Sequence, residues 1–106
     1  MFNEQRQSQR KVLKVKALIA PEVADPLTVR TVDIGSSGMC ISSPDPMTLG
    51  ATTQVRFDLL VEGKPHTIQV RSKITYCILS GSEFKVGLQF LNLDLSSMTM
   101  LAKFLR

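Results

Sequence analysis

The chain contains no tryptophan, one tyrosine, one histidine and two cysteines, and each scarcity removes a class of function. His66 is the single imidazole and sits beside Pro65 in an expected turn. It leaves no persuasive Ser-His-Asp or Cys-His set, and no His-Glu-x-x-His or Walker phosphate loop is present. Cys40 and Cys77 lie far apart without Cys-x-x-Cys spacing, so with one histidine they cannot build an ordinary four-ligand structural zinc site. Both are read as reduced thiols at strand positions. No apolar run approaches the roughly 18 residues of a membrane-spanning helix, and the first six residues stay polar where a signal peptide turns apolar. These absences point to a soluble, cytoplasmic protein that is not an enzyme and carries no cofactor or metal.

What is present is ordinary in amount and uneven in placement. A length of 106 residues allows one domain with one modest core. A hydrophobic share of 43% with 21% charged residues argues against wholesale disorder. The net charge is +4, and residues 1–16 hold five basic side chains against Glu4 alone, so the rest of the chain balances. A basic arm on a neutral body suits an anionic partner, whether nucleotide, nucleic acid or membrane surface, and equally suits a solubilising terminus.

Alternation with a period of two dominates the middle of the chain. Leu13, Val15, Ala17 and Ile19 alternate with lysines, Thr28–Ile34 reads as a second strand, and Met39–Ser43 as a third. Val55–Val61 forms a fourth. In the long run that follows, Ile68, Val70, Ile74, Tyr76 and Ile78 share one face, opposite Gln69, Arg71, Lys73 and Thr75. Phe84, Val86, Leu88 and Phe90 line the last strand. From Ser96, a plausible N-cap, the spacing turns helical, with Met98, Leu101 and Leu105 on one stripe. Six strands with no intervening helices predict an all-β, six-stranded antiparallel barrel with a short C-terminal helix. The expected organisation is a flexible arm over 1–11, a barrel over 12–91 and a helix over 96–106.

Two short motifs stand out against this pattern. Arg6 and Arg10 lie four apart on the arm, an even spacing that puts both on one side whether the arm is extended or helical. Asp33-Ile-Gly-Ser-Ser-Gly38 then sets an acid before a glycine-rich turn. The pair resembles the signature of the PilZ domain, a bacterial family of cyclic di-GMP receptors with Arg-x-x-x-Arg before the first strand and Asp/Asn-x-Ser-x-x-Gly in a later turn. The likeness extends to the Val86-Gly-Leu-Gln-Phe90 strand and the terminal helix. One position departs: Gly35 stands where the family usually has serine.

The resemblance implies a receptor whose ligand is cyclic di-GMP, with Arg6 and Arg10 on phosphates and guanine edges and Asp33 on guanine N–H groups. Gly35, Ser36, Ser37 and Gly38 complete the implied site. Such assignments fit the chemistry, because a guanidinium fork pairs two acceptors at once and a carboxylate accepts from N1–H and N2–H. Missing the serine hydroxyl at Gly35 costs on the order of 1 kcal/mol, or several-fold in affinity. Ligand binding is expected to order the arm and to present a surface to an unidentified effector protein acting in trans. Two other readings stay open. One is a degenerate protein-interaction module without nucleotide binding. The other is a basic nucleic-acid-binding barrel, which the shortage of aromatics for base stacking disfavours.

Overall fold

The computed structural model describes residues 9–22 and 24–106, so Arg6 lies outside the described residues. Seven strands and one helix follow in order: β1 (Arg10–Val12), β2 (Lys16–Pro21), β3 (Leu27–Gly35), β4 (Gly38–Ser43), β5 (Thr52–Val61), β6 (Lys64–Ser80), β7 (Glu83–Phe90) and α1 (Leu95–Leu105). All pairings are antiparallel. The sheet runs β3–β2–β5–β6–β7–β4 and closes through β4–β3, giving the six-stranded barrel. β1 is an extra short strand that pairs with the far end of β3, Arg10 opposite Gly35 and Val12 opposite Asp33. Arg10 and Lys11, expected in the arm, are thus strand residues. Closure removes the free edges of the six strands, which would otherwise offer unpaired N–H and C=O groups.

β1 and β2 are two parts of one strand interrupted at Leu13–Val15. The break is stitched by Thr31, whose buried hydroxyl accepts from the Val15 amide at 2.9 Å and donates to the Leu13 carbonyl. Backbone bonds from Leu13 N to Val32 O and from Thr31 N to Val15 O hold both sides of it. The alternation read from sequence becomes inward burial: Ile19, Ile34, Ile41, Val55, Leu59 and Val86 are fully inaccessible. Each such side chain contributes about 1.5–3 kcal/mol by leaving water.

The long strand departs from its sequence reading. Ile68, Val70 and Ile74 do point inward, but the β6–β7 register shifts between Ile74 and Tyr76. This bulge inverts the alternation, leaving Tyr76 39% and Ile78 58% exposed on the outer face. His66 and Pro65 are strand residues of β6, paired with Leu59 and Leu60, and the hairpin turn is confined to Glu62-Gly63.

α1 begins one residue earlier than expected. Its N-cap is Asp94, whose carboxylate accepts from the Ser97 amide at 2.7 Å, so Ser96 lies within the helix. A carboxylate suits this position because it satisfies an orphan N–H at the positive end of the dipole. The buried stripe is Ser97, Leu101 and Leu105, while Met98 is 47% exposed. The helix packs on β5 and β6, and Lys11 reaches its other end, donating to the Arg106 carbonyl at 2.9 Å and lying over the Phe104 ring. No helix among the described residues is long and apolar enough to cross a membrane.

Candidate functional site

The outer face of the barrel bears a trough of about 300 Å³ where β1, β3, β4, β6 and β7 meet. Arg10 and Asp33 form one wall, Tyr76 lines the trough with Gln89, and Ser37, Gly38 and Gly87 line the rest. Two bulges build it. In β3 the register against β4 shifts between Thr31 and Asp33. Thr31 and Ile34 are both buried, so the shift turns Asp33 outward where strict alternation would have buried it. The Ile74/Tyr76 bulge does the same for Tyr76. Bulges re-aim single side chains without dismantling a sheet, and here both deliver polar or aromatic groups to one spot.

Two glycines of the trough make room for close neighbours. A Cβ on Gly38 would fall well inside contact distance of the Leu88 carbonyl oxygen on β7. Gly38 is therefore explained by the close approach of two backbones at Gly38↔Gln89. Gly87 has a different reason, because the Tyr76 ring lies across it and occupies the space a side chain would fill. The cross-strand row Asp33–Cys40–Gly87–Tyr76 puts the ring against the Cys40 side chain. Contact with Cys40 first, then burial, pushes the Tyr76 phenol up to about 12.

Arg10 is held before any ligand arrives. Its Nη2 donates to Asp33 Oδ1 at 2.6 Å and its Nε to the same oxygen at 3.2 Å. Gly35, directly opposite Arg10, supplies the room: a Cβ there would lie 3.1 Å from Arg10 Nη1 and 3.2 Å from the Gln9 carbonyl. The glycine in place of the usual serine thus leaves space beside the guanidinium that a side chain would press into by a few tenths of an ångström. Of the residues singled out from sequence, Arg10, Asp33, Ser37 and Gly38 line the trough, Gly35 adjoins Arg10, and exposed Ser36 is not among the lining residues. Arg6 falls outside the described residues. Tyr76 and Gly87, which no sequence motif marks as site residues, also line the trough.

A family model described as PilZ domain matches residues 4–106. The chain belongs to the PilZ domain family. Solved structures agree in fold. The inhibitor of motility MotI/DgrA of Bacillus subtilis superposes with a TM-score of 0.80 at 15% identity, over 94% of this chain and 49% of that one. PlzA of Borreliella burgdorferi, solved in complex with c-di-GMP, gives 0.66 at 13% identity, over 100% and 41%. MrkH of K. pneumonia, likewise in complex with c-di-GMP, gives 0.65 at 17% identity, over 95% and 51%. This PilZ chain therefore spans about half the length of these proteins or less. Comparison with curated proteins gives no match.

Proposed function

We propose that this PilZ chain is a cyclic di-GMP receptor that signals through a partner protein. The observation that carries the reading is the joint placement of Arg10 and Asp33 on the rim of a glycine-lined trough that also holds Tyr76. A guanidinium fork suits a phosphate or the O6/N7 edge of guanine, and a carboxylate suits N1–H and N2–H. The trough lined by Gly38 and Gly87 admits a flat base, and the Tyr76 ring supplies a stacking surface. Ser37, which lines the same trough, supplies a hydroxyl for a phosphate oxygen. Arg6, four residues before Arg10, adds a second fork when ligand binding orders the N-terminal arm.

The ligand has to part Arg10 from Asp33. Their side chains are 43% and 33% exposed, and an ion pair so hydrated is worth about 0.2–1 kcal/mol. A micromolar complex holds about 8 kcal/mol, so the pair opens at small cost while keeping both groups at the site beforehand.

The test is binding followed by amide chemical shifts. Cyclic di-GMP should move the Gly38, Gly87 and Tyr76 resonances together. Arg10→Ala should weaken binding by roughly tenfold to a hundredfold, from the loss of about 1.5–3 kcal/mol of charge-assisted hydrogen bonding. Wild-type affinity in both Arg10→Ala and Asp33→Ala would reject the assignment.

A further inference from the structure

From residue 17 on the basic and acidic side chains are equal in number, yet the fold brings two cations of that part beside Lys16, the last residue of the basic segment. On the outer face of β2, β3 and β5, exposed Lys16 lies directly opposite exposed Arg30. Exposed Arg56 lies opposite Leu18, two residues along β2 on the same face as Lys16. The three cations border an open depression of about 700 Å³. It shares no lining residue with the trough at Arg10.

Like charges directly opposite on an antiparallel pair destabilise the sheet, so Lys16 facing Arg30 is unfavourable unless something neutralises it. The neighbouring acids form no ion pair with either cation. Asp58, the single acid of the depression, accepts from the Thr67 hydroxyl at 2.8 Å. Glu83 accepts from Ser42, the residue opposite Arg30 on β4, at 2.7 Å. Among the described residues the ion pairs are Arg10–Asp33 and Arg71–Glu22, so Lys16, Arg30 and Arg56 take part in none.

We infer that Lys16, Arg30 and Arg56 form a second anion site, which takes a phosphate-bearing group. Two guanidinium forks and one ammonium facing a shallow depression match the several oxygens of a phosphate or diphosphate. The only aromatic side chain lining it, Phe57, is 3% exposed, so the group is held through its phosphate and not by stacking. The phosphate can belong to a soluble metabolite or to a lipid headgroup, and the site does not depend on the receptor reading of the trough.

The test uses the full chain, isotope-labelled, titrated with pyrophosphate at ionic strength held constant with chloride. Saturable shifts at the Lys16, Arg30 and Arg56 amides and at the arginine Nε–H groups, with Gly87 unmoved, are expected. Arg30→Gln with Arg56→Gln should abolish them. That double variant removes like-charge repulsion, so it should melt no lower than the parent, which separates loss of binding from loss of fold. Vesicles of phosphatidylglycerol against phosphatidylcholine then identify the source: co-sedimentation with the anionic vesicles alone, lost in the double variant, assigns a lipid phosphate. Pyrophosphate binding without it assigns a soluble one. Shifts that never saturate, or that persist in the double variant, would overturn the site, as would silence toward both probes.

Discussion

Tyr76 is the single tyrosine in a chain without tryptophan, so its ionisation can be followed by the ultraviolet phenolate band with no label and no competing signal. The structure raises that phenol from its ordinary value near 10 to about 12, chiefly through contact with Cys40 and then through burial. A folded-state value above the unfolded one means that the stabilisation is complete below about pH 10 and is lost as pH rises through about 12. Two units amount to about 2.7 kcal/mol before screening. Because the residue is 39% exposed, the effective contribution is nearer about 1 kcal/mol. Lysines also titrate in this range, so melting temperature is a poor readout and the phenolate band is the right one. Wild-type protein should titrate well above 10, and Cys40→Ala should bring the midpoint back toward 10. A wild-type midpoint near 10 would mean that the ring does not lie over Gly87 against Cys40, and the trough would lose the aromatic group assigned to it.

Other expectations follow from the same geometry. Gly38→Ala should destabilise the fold by about 1–3 kcal/mol, because its Cβ would meet the Leu88 backbone, which cannot swing aside; a melting curve that moves by less than the error would contradict this. Gly87→Ala would drive its Cβ into the Tyr76 ring, so the ring must leave its place; the change should cost about 1–3 kcal/mol and lower the tyrosine midpoint in the same spectroscopic titration. The Asp94 carboxyl is held below its usual value by the Ser97 amide, so its capping contribution is complete above pH about 4 and fades as pH falls through the lowered folded value. Asp94→Ala should accordingly lower the melting temperature at neutral pH and converge on wild type in strong acid. Leu59→Ala, at a fully inaccessible position, should cost about 2–5 kcal/mol in denaturant unfolding.

Strand alternation carried the barrel because one-sided burial is written directly into sequence at period two. It failed where the backbone adds a residue. A bulge has no fixed sequence signature, so nothing in Ser72-Lys-Ile-Thr-Tyr-Cys-Ile78 announced that Tyr76 turns outward, although the loss of polar spacers after Thr75 was a hint. Asp33 was found through its motif, not through its face, since alternation from Val29 and Thr31 would have buried it. Gly35 reads as a missing hydroxyl, whereas in the fold it faces Arg10 closely, a contact between residues 25 positions apart that no local pattern encodes. The charge excess of residues 1–16 was visible as a count, but the opposition of Lys16 to Arg30 required the β2–β3 register.

The most direct test of the receptor reading is calorimetric titration of the full chain with cyclic di-GMP near physiological salt, with GTP as competitor. Saturable binding at micromolar affinity or tighter, unaffected by GTP, is the predicted result. Absence of heat, together with an unchanged Tyr76 fluorescence signal over the same titration, would contradict it.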